Sequence, residues 1–182
     1  MNTNDKLLIV GGTGRDVGKT EFVCRLIQKI STERPVYAIK VSSIFPGEEL
    51  YHGTHSEGDS SLYLQEETNR KSDKDTSRML KAGAARVFYL RTDDTGIQPG
   101  FDQFLMKIPD EAAVVCESNS LGHFVKPALA IMVRSKAGGV KPRAIAQLKC
   151  ADLVVVSDGT SGFAELESIF YSQKDGWKRI SV

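Results

Sequence analysis

The sequence predicts an α/β protein, a doubly wound and mostly parallel sheet with helices on both faces. Two observations predict it. Short, branched apolar runs recur along the 182 residues, each the length of a buried strand rather than a helix. Residues 7–41 also spell strand, glycine-rich turn, amphipathic helix, strand, which is the repeating unit of a parallel sheet.

Leu7-Leu8-Ile9-Val10 is the first strand and Gly11-Gly12 ends it. After the turn from Gly11 to Gly18, residues Phe22, Val23, Leu26, Ile27 and Ile30 fall on one helical face. Glu21 near the start of that helix and Lys29 near its end suit its dipole. Pro35 punctuates, and Val36 to Val41 is the second strand. Residues 42–73 are polar, carry Pro46 and several glycines, and read as a long functional loop with short helical turns around Leu62 to Glu67. A helix starts near Asp75 and stops at Gly83, a natural C-terminal residue. Val87 to Leu90 is a strand, Phe101 to Met106 part of a helix, and Ala112 to Cys116, Ala128 to Val133 and Leu153 to Val156 are further strands. Ser161 to Tyr171 reads as helical and Trp177 to Val182 as an edge strand. The sum is a single domain over residues 1–182 with six or seven strands.

Composition narrows the function. Lys and Arg number 24 against 23 Asp and Glu, a net charge of +1, which excludes a strongly basic nucleic-acid binder and an acidic solvating tail. Cys24, Cys116 and Cys150 are odd in number and form no CxxC pair, so reduced thiols in a cytoplasmic protein are expected rather than disulfides or a zinc knuckle. Cys116, inside a strand, is expected to be inert. No apolar run approaches the roughly 20 residues of a membrane span, and no signal-peptide core precedes the first strand.

The sharpest motif is Gly12-Thr13-Gly14-Arg15-Asp16-Val17-Gly18-Lys19-Thr20, which follows a strand and opens a helix. That is the context of a phosphate-binding loop. Its glycines let backbone N–H groups turn inward, and the helix N-terminus adds a positive dipole end. Lys19 would reach the β- and γ-phosphates and the Thr20 hydroxyl would ligate Mg²⁺. Thr13 stands where the first glycine usually is, so counting from Gly12 the loop is one residue longer than standard.

This stretch resembles the long P-loop of dethiobiotin synthetase, with its Gly-Thr start and Val-Gly-Lys-Thr end. Lys74-Asp75-Thr76-Ser77-Arg78-Met79-Leu80-Lys81-Ala82-Gly83-Ala84 and the strand end Ile39-Lys40 resemble a second family of the P-loop superfamily. That family is the adapter protein of molybdopterin-guanine dinucleotide biosynthesis. The likeness extends over about residues 5–120. Glu117-Ser118-Asn119-Ser120 stands where the adapters have Glu-Gly and the synthetase has Glu-Gly-Ala-Gly-Gly. The adapter resemblance implies Mg²⁺-dependent binding and slow hydrolysis of ATP or GTP, a partner or small acceptor in a cofactor pathway, and a homodimer. The alternative implied by the synthetase is an ATP-dependent ligase or kinase that activates a carboxylate or carbamate.

Besides Lys19, the catalytic candidates are Lys40 and Glu117, and the metal candidates are Thr20, Asp75 and Glu117. Glu117 ends a strand at the sheet edge where ligands of open α/β sheets collect, the place of a Walker-B-like acid. The family likeness puts Asp75 near the metal, although an aspartate at a helix start is also a common N-cap. Lys40 ends the second strand and would offset charge on a γ-phosphate beside Lys19. Arg78 shares a helix face with Asp75 and is expected to pair with it. Ser118-Asn119-Ser120 suits hydrogen bonding or a plain turn. His52 and His55, with Glu57 and Asp59, have a metal-like spacing, but no cysteine is nearby and a surface pair is expected. Asp158 follows a strand where a nucleotide base often sits in this superfamily. Lys136, Lys141 and Arg143 make the 134–143 segment basic, a solvated loop or a phosphate-facing lid.

Overall fold

Side chains that alternate between two faces build the sheet of the computed structural model, which describes residues 3–44, 62–160 and 162–180. The chain runs β1 (Thr3–Gly12), α1 (Lys19–Ser31), β2 (Val36–Ser43), β3 (Leu62–Glu67), α2 (Asp75–Lys81), β4 (Arg86–Thr92), α3 (Ile97–Leu105), β5 (Ala113–Glu117) and β6 (Lys126–Ser135). It continues through α4 (Ile145–Cys150), β7 (Leu153–Ser157), β8 (Ile169–Ser172) and β9 (Gly176–Arg179), and three short 3-10 turns lie between elements among the described residues. The central sheet has the order β3-β4-β2-β5-β1-β6-β7. All its neighbours pair in parallel except β3 with β4.

Alternate residues of each central strand feed two cores. Leu8 and Val10 of β1, Val36 and Ala38 of β2, and Ala113 and Val115 of β5 pack under α1 and α2. Leu7, Ile9, Ile39, Val41, Val114 and Cys116 face the other way, toward Phe101 and Phe104 of α3. Helices therefore cover both faces, and each strand buried on both sides reads as a continuous apolar run. The five residues expected on the inner face of α1 are all buried. Gly83, at φ +108, ends α2 in the left-handed conformation that glycine adopts without strain.

Three expectations are corrected. Leu62–Glu67 is not a helical turn but an antiparallel edge strand, its residues alternating in exposure. Residues 162–171, the described part of the expected helix from Ser161 to Tyr171, do not form one; a 3-10 turn at Ala164–Ser168 leads into β8. Gly176–Arg179 is not an edge of the main sheet but pairs with β8 as a separate hairpin. That hairpin closes the end of the sheet away from the glycine-rich turn. Trp177 is 2% exposed, and its indole N–H donates to the carbonyls of Lys6 (2.8 Å) and Val114 (3.1 Å). Gly176, at φ +70, approaches so closely that a β-carbon there would lie 2.0 Å from the Asp5 carbonyl oxygen. Among the described residues no helix is long and apolar enough to cross a membrane. His52, His55, Glu57 and Asp59 lie outside the described residues.

Candidate functional site

The loop between β1 and α1 sits at the C-terminal edge of the sheet, in the middle of the strand order. Asp16 (φ 55) and Gly18 (φ 94) take left-handed backbone conformations, and Gly18 is the N-cap of α1. A β-carbon at Gly18 would meet the Ser157 hydroxyl at 2.7 Å, so strain and crowding both require glycine. No side chain caps α1, which leaves its first amides open to an anion. Thr13 ties the loop to the body of the protein, its N–H donating to Val133 O (3.0 Å) and its carbonyl accepting the Lys141 N–H (2.9 Å). The Gly12 N–H donates to Asn119 Oδ1 at 2.7 Å.

Lys19 folds back over the loop and donates to Gly14 O at 2.9 Å. A β-carbon on Gly12 would stand 2.6 Å from the Lys19 side chain, so Gly12 makes room for that lysine. Burial lowers the Lys19 pKa; Glu117, Asp75 and Asp16 oppose the shift and Lys40 adds to it. The site thus holds a partly desolvated cation whose hydrogen bond goes to a neutral carbonyl.

Strand register assembles the charged floor beside it. Val10 pairs with Glu117, and Glu117 pairs in turn with Lys40. Lys40 and Glu117 continue the α1-facing parity of Ala38 and Val115, so both reach toward the start of α1. Thr20 Oγ1 donates to Glu117 Oε2 at 2.8 Å. The Lys40 ammonium donates to Glu117 Oε1 at 3.0 Å and also to Asp75 Oδ2, bridging the two carboxylates. Glu117 is 3% exposed and depends on these partners. Burial alone would lower the Lys40 pKa, but Glu117 and Asp75 together raise it. Asp75 goes the other way: burial would raise its pKa, and the Lys40 hydrogen bond and charge, with Thr20 and Arg78, lower it.

The folded pKa of Asp75 lies below its ordinary 3.8, so its contribution to stability is complete above that value and is lost as pH falls through the depressed folded one. Urea midpoints at pH 6 and pH 3 are expected to differ less in Asp75→Asn than in the wild type. An equal pH dependence would contradict the pairing.

Lys19, Thr20, Lys40, Asp75 and Glu117 are therefore brought together. Among the nucleotide candidates, Gly12, Thr13, Gly14 and Gly18 shape the loop, Arg15 and Asp16 are exposed, and Val17 points into the core. Arg78 does not pair with Asp75 through a hydrogen bond; it donates to Glu21 of α1 at 2.8 Å. Asn119, which holds the loop at Gly12, was one residue of an ambiguous polar cluster in the sequence. Ser118 proves to be a turn residue, its hydroxyl accepting the N–H groups of Ser120 and Leu121. Among the described residues no group of three or more His, Cys, Asp or Glu is arranged to hold a metal unaided. The hydroxyl and carboxylates of Thr20, Glu117 and Asp75 are nevertheless hard oxygen donors, the set that fits Mg²⁺ when phosphates and waters complete its shell. Comparison of the chain with protein-family models, curated proteins and solved structures gave no match.

Proposed function

We propose that this protein binds a purine nucleoside triphosphate, ATP or GTP, as its Mg²⁺ complex and hydrolyses it slowly, in the manner of the adapters its sequence resembles. One observation carries the reading. Lys19 and Thr20 open an uncapped helix directly after β1, while the strand-end Glu117 of the adjacent strand holds the Thr20 hydroxyl at 2.8 Å. The amides of the loop and Lys19 bind the phosphates. Thr20, Glu117 and Asp75 hold the metal, which when bound neutralises charge on the β- and γ-phosphates. Lys40 sets its charge beside Lys19, and Glu117 orients an attacking water. The reduced thiols support a cytoplasmic setting.

The test is calorimetric titration of ATP and GTP, each with Mg²⁺, into wild type and Lys19→Ala. Micromolar binding of one nucleotide is expected, weakened about 100-fold or more when the charge-assisted phosphate contacts of Lys19 are lost. The variant should fold normally, because burial already disfavours the charge it removes. A well-folded wild type that binds neither nucleotide, or binding indifferent to Lys19→Ala, would overturn the proposal.

A further inference from the structure

The register carries the floor of the site farther than the phosphate region. Lys40 pairs with Tyr89 of β4, and Tyr89 pairs with Gln65 of β3. One row along, Ser42 pairs with Arg91 and Arg91 with Tyr63. Direct partners share a face, so these six side chains stand on the α1 and α2 side of the sheet. Helix α2 meets the preceding row, where Thr76 of α2 donates to Glu67 at 2.7 Å, and reaches the Lys40 row only at Lys40, through Asp75. Beyond it Tyr89, Arg91 and Ser42 are half-buried, and Gln65 and Tyr63 are exposed.

The chemistry of this open floor is that of a donor surface. The Lys40 charge is balanced by Asp75 and Glu117. Arg91 enters no salt bridge among the described residues, whereas Arg86 on the opposite face is locked to Glu66. The Tyr63 hydroxyl donates to Gln65 Oε1, which leaves the exposed Gln65 amide its N–H groups to donate. Ser42, across from Arg91 on β2, and Tyr89, two residues along β4, add hydroxyls beside it. Strand spacing and rise put the Arg91 backbone about 8 Å from that of Lys40.

We infer that Arg91, flanked by Ser42, Tyr89, Tyr63 and Gln65, forms a subsite for a second small molecule that carries a terminal carboxylate or phosphate monoester. The guanidinium fork takes the anion in a bidentate pair, and the two phenol rings give the rest of the molecule an apolar face. Its position beside a bound nucleotide rests on the function proposed above; the anion site itself does not.

The test uses inorganic phosphate and citrate as probes in thermal-shift titrations of Lys19→Ala, where the phosphate loop is disabled. A saturable rise in melting temperature is expected with at least one probe. Adding Arg91→Gln should weaken it about ten-fold or more, the value of one charge-assisted pair, and Arg91→Lys should weaken it less. Arg86→Gln, on the other face, should leave it intact. A stronger response to phosphate than to citrate assigns a phosphate monoester, and the reverse a carboxylate. No response in Lys19→Ala, or one unchanged by Arg91→Gln in a folded protein, would overturn the inference. Nucleotide binding in the wild type is scored separately, so either reading can fail without the other.

Discussion

Replacing Lys40 by methionine is expected to lower folding stability by about 3 kcal/mol, the low end of the cost of removing one partner from a buried ion pair. Methionine keeps much of the length and apolar stem of lysine, so packing changes little and the loss isolates the charge. Glu117, at 3% exposed, is left with only the Thr20 hydroxyl. Asp75 loses less, because its side chain is 37% exposed and water can replace the ammonium. For a chain of this size that cost is a fall of roughly 6–12 °C in Tm. Millimolar Mg²⁺ without nucleotide should recover part of the loss in Lys40→Met and do little for wild type, since the vacated carboxylates and Thr20 are oxygen donors. An unchanged Tm in Lys40→Met would mean that the bridge between Asp75 and Glu117 does not exist in solution.

Trp177→Ala is expected to cost about 4 kcal/mol, within the range for emptying a buried aromatic site. The indole is buried against Tyr171, with ring centroids 5.1 Å apart, and its N–H serves the carbonyls of Lys6 and Val114. Trp177→Phe largely separates the two effects: an aromatic ring stays in the site, the donor is lost, and about 1–2 kcal/mol should disappear with the hydrogen bonds. Chemical denaturation of both variants measures the ledger. Equal losses in the two would place the whole effect in the hydrogen bonds rather than in packing.

Much of the glycine-rich turn and its flanks was legible because its signals are local. The run Leu7–Val10, the glycines and the amphipathic α1 lie within one stretch of chain, and each obeys its own period. Lys40 and Glu117 could be placed at one sheet edge because each ends an apolar run. Their contact could not be read, since it depends on β5 lying between β1 and β2, and strand order leaves no mark in either strand. Asn119 escaped for the same reason: its partner Gly12 is 107 residues away. Leu62–Glu67 was misread because six residues do not separate a period of two from a helical turn, and an edge strand half in water lacks a continuous apolar run. Phe163, Leu166 and Ile169 are spaced by three like a helix face, yet Phe163 precedes a 3-10 turn, Leu166 lies in it and Ile169 begins β8.

Where β1 lies has a consequence for how the chain is made. β1 is held between β5 and β6, which follow it in the chain, and its far end is clamped by Trp177 across 171 residues. At about 5–20 residues per second, a ribosome must work for several seconds after β1 emerges before either neighbour exists. Until then Leu7 to Val10 is an apolar segment with unpaired edges, a natural client for a holding chaperone. A nascent chain stopped before residue 113 would carry the whole glycine-rich turn and α1 yet lack both strands that flank β1, so the turn meets Glu117 only once β5 is made.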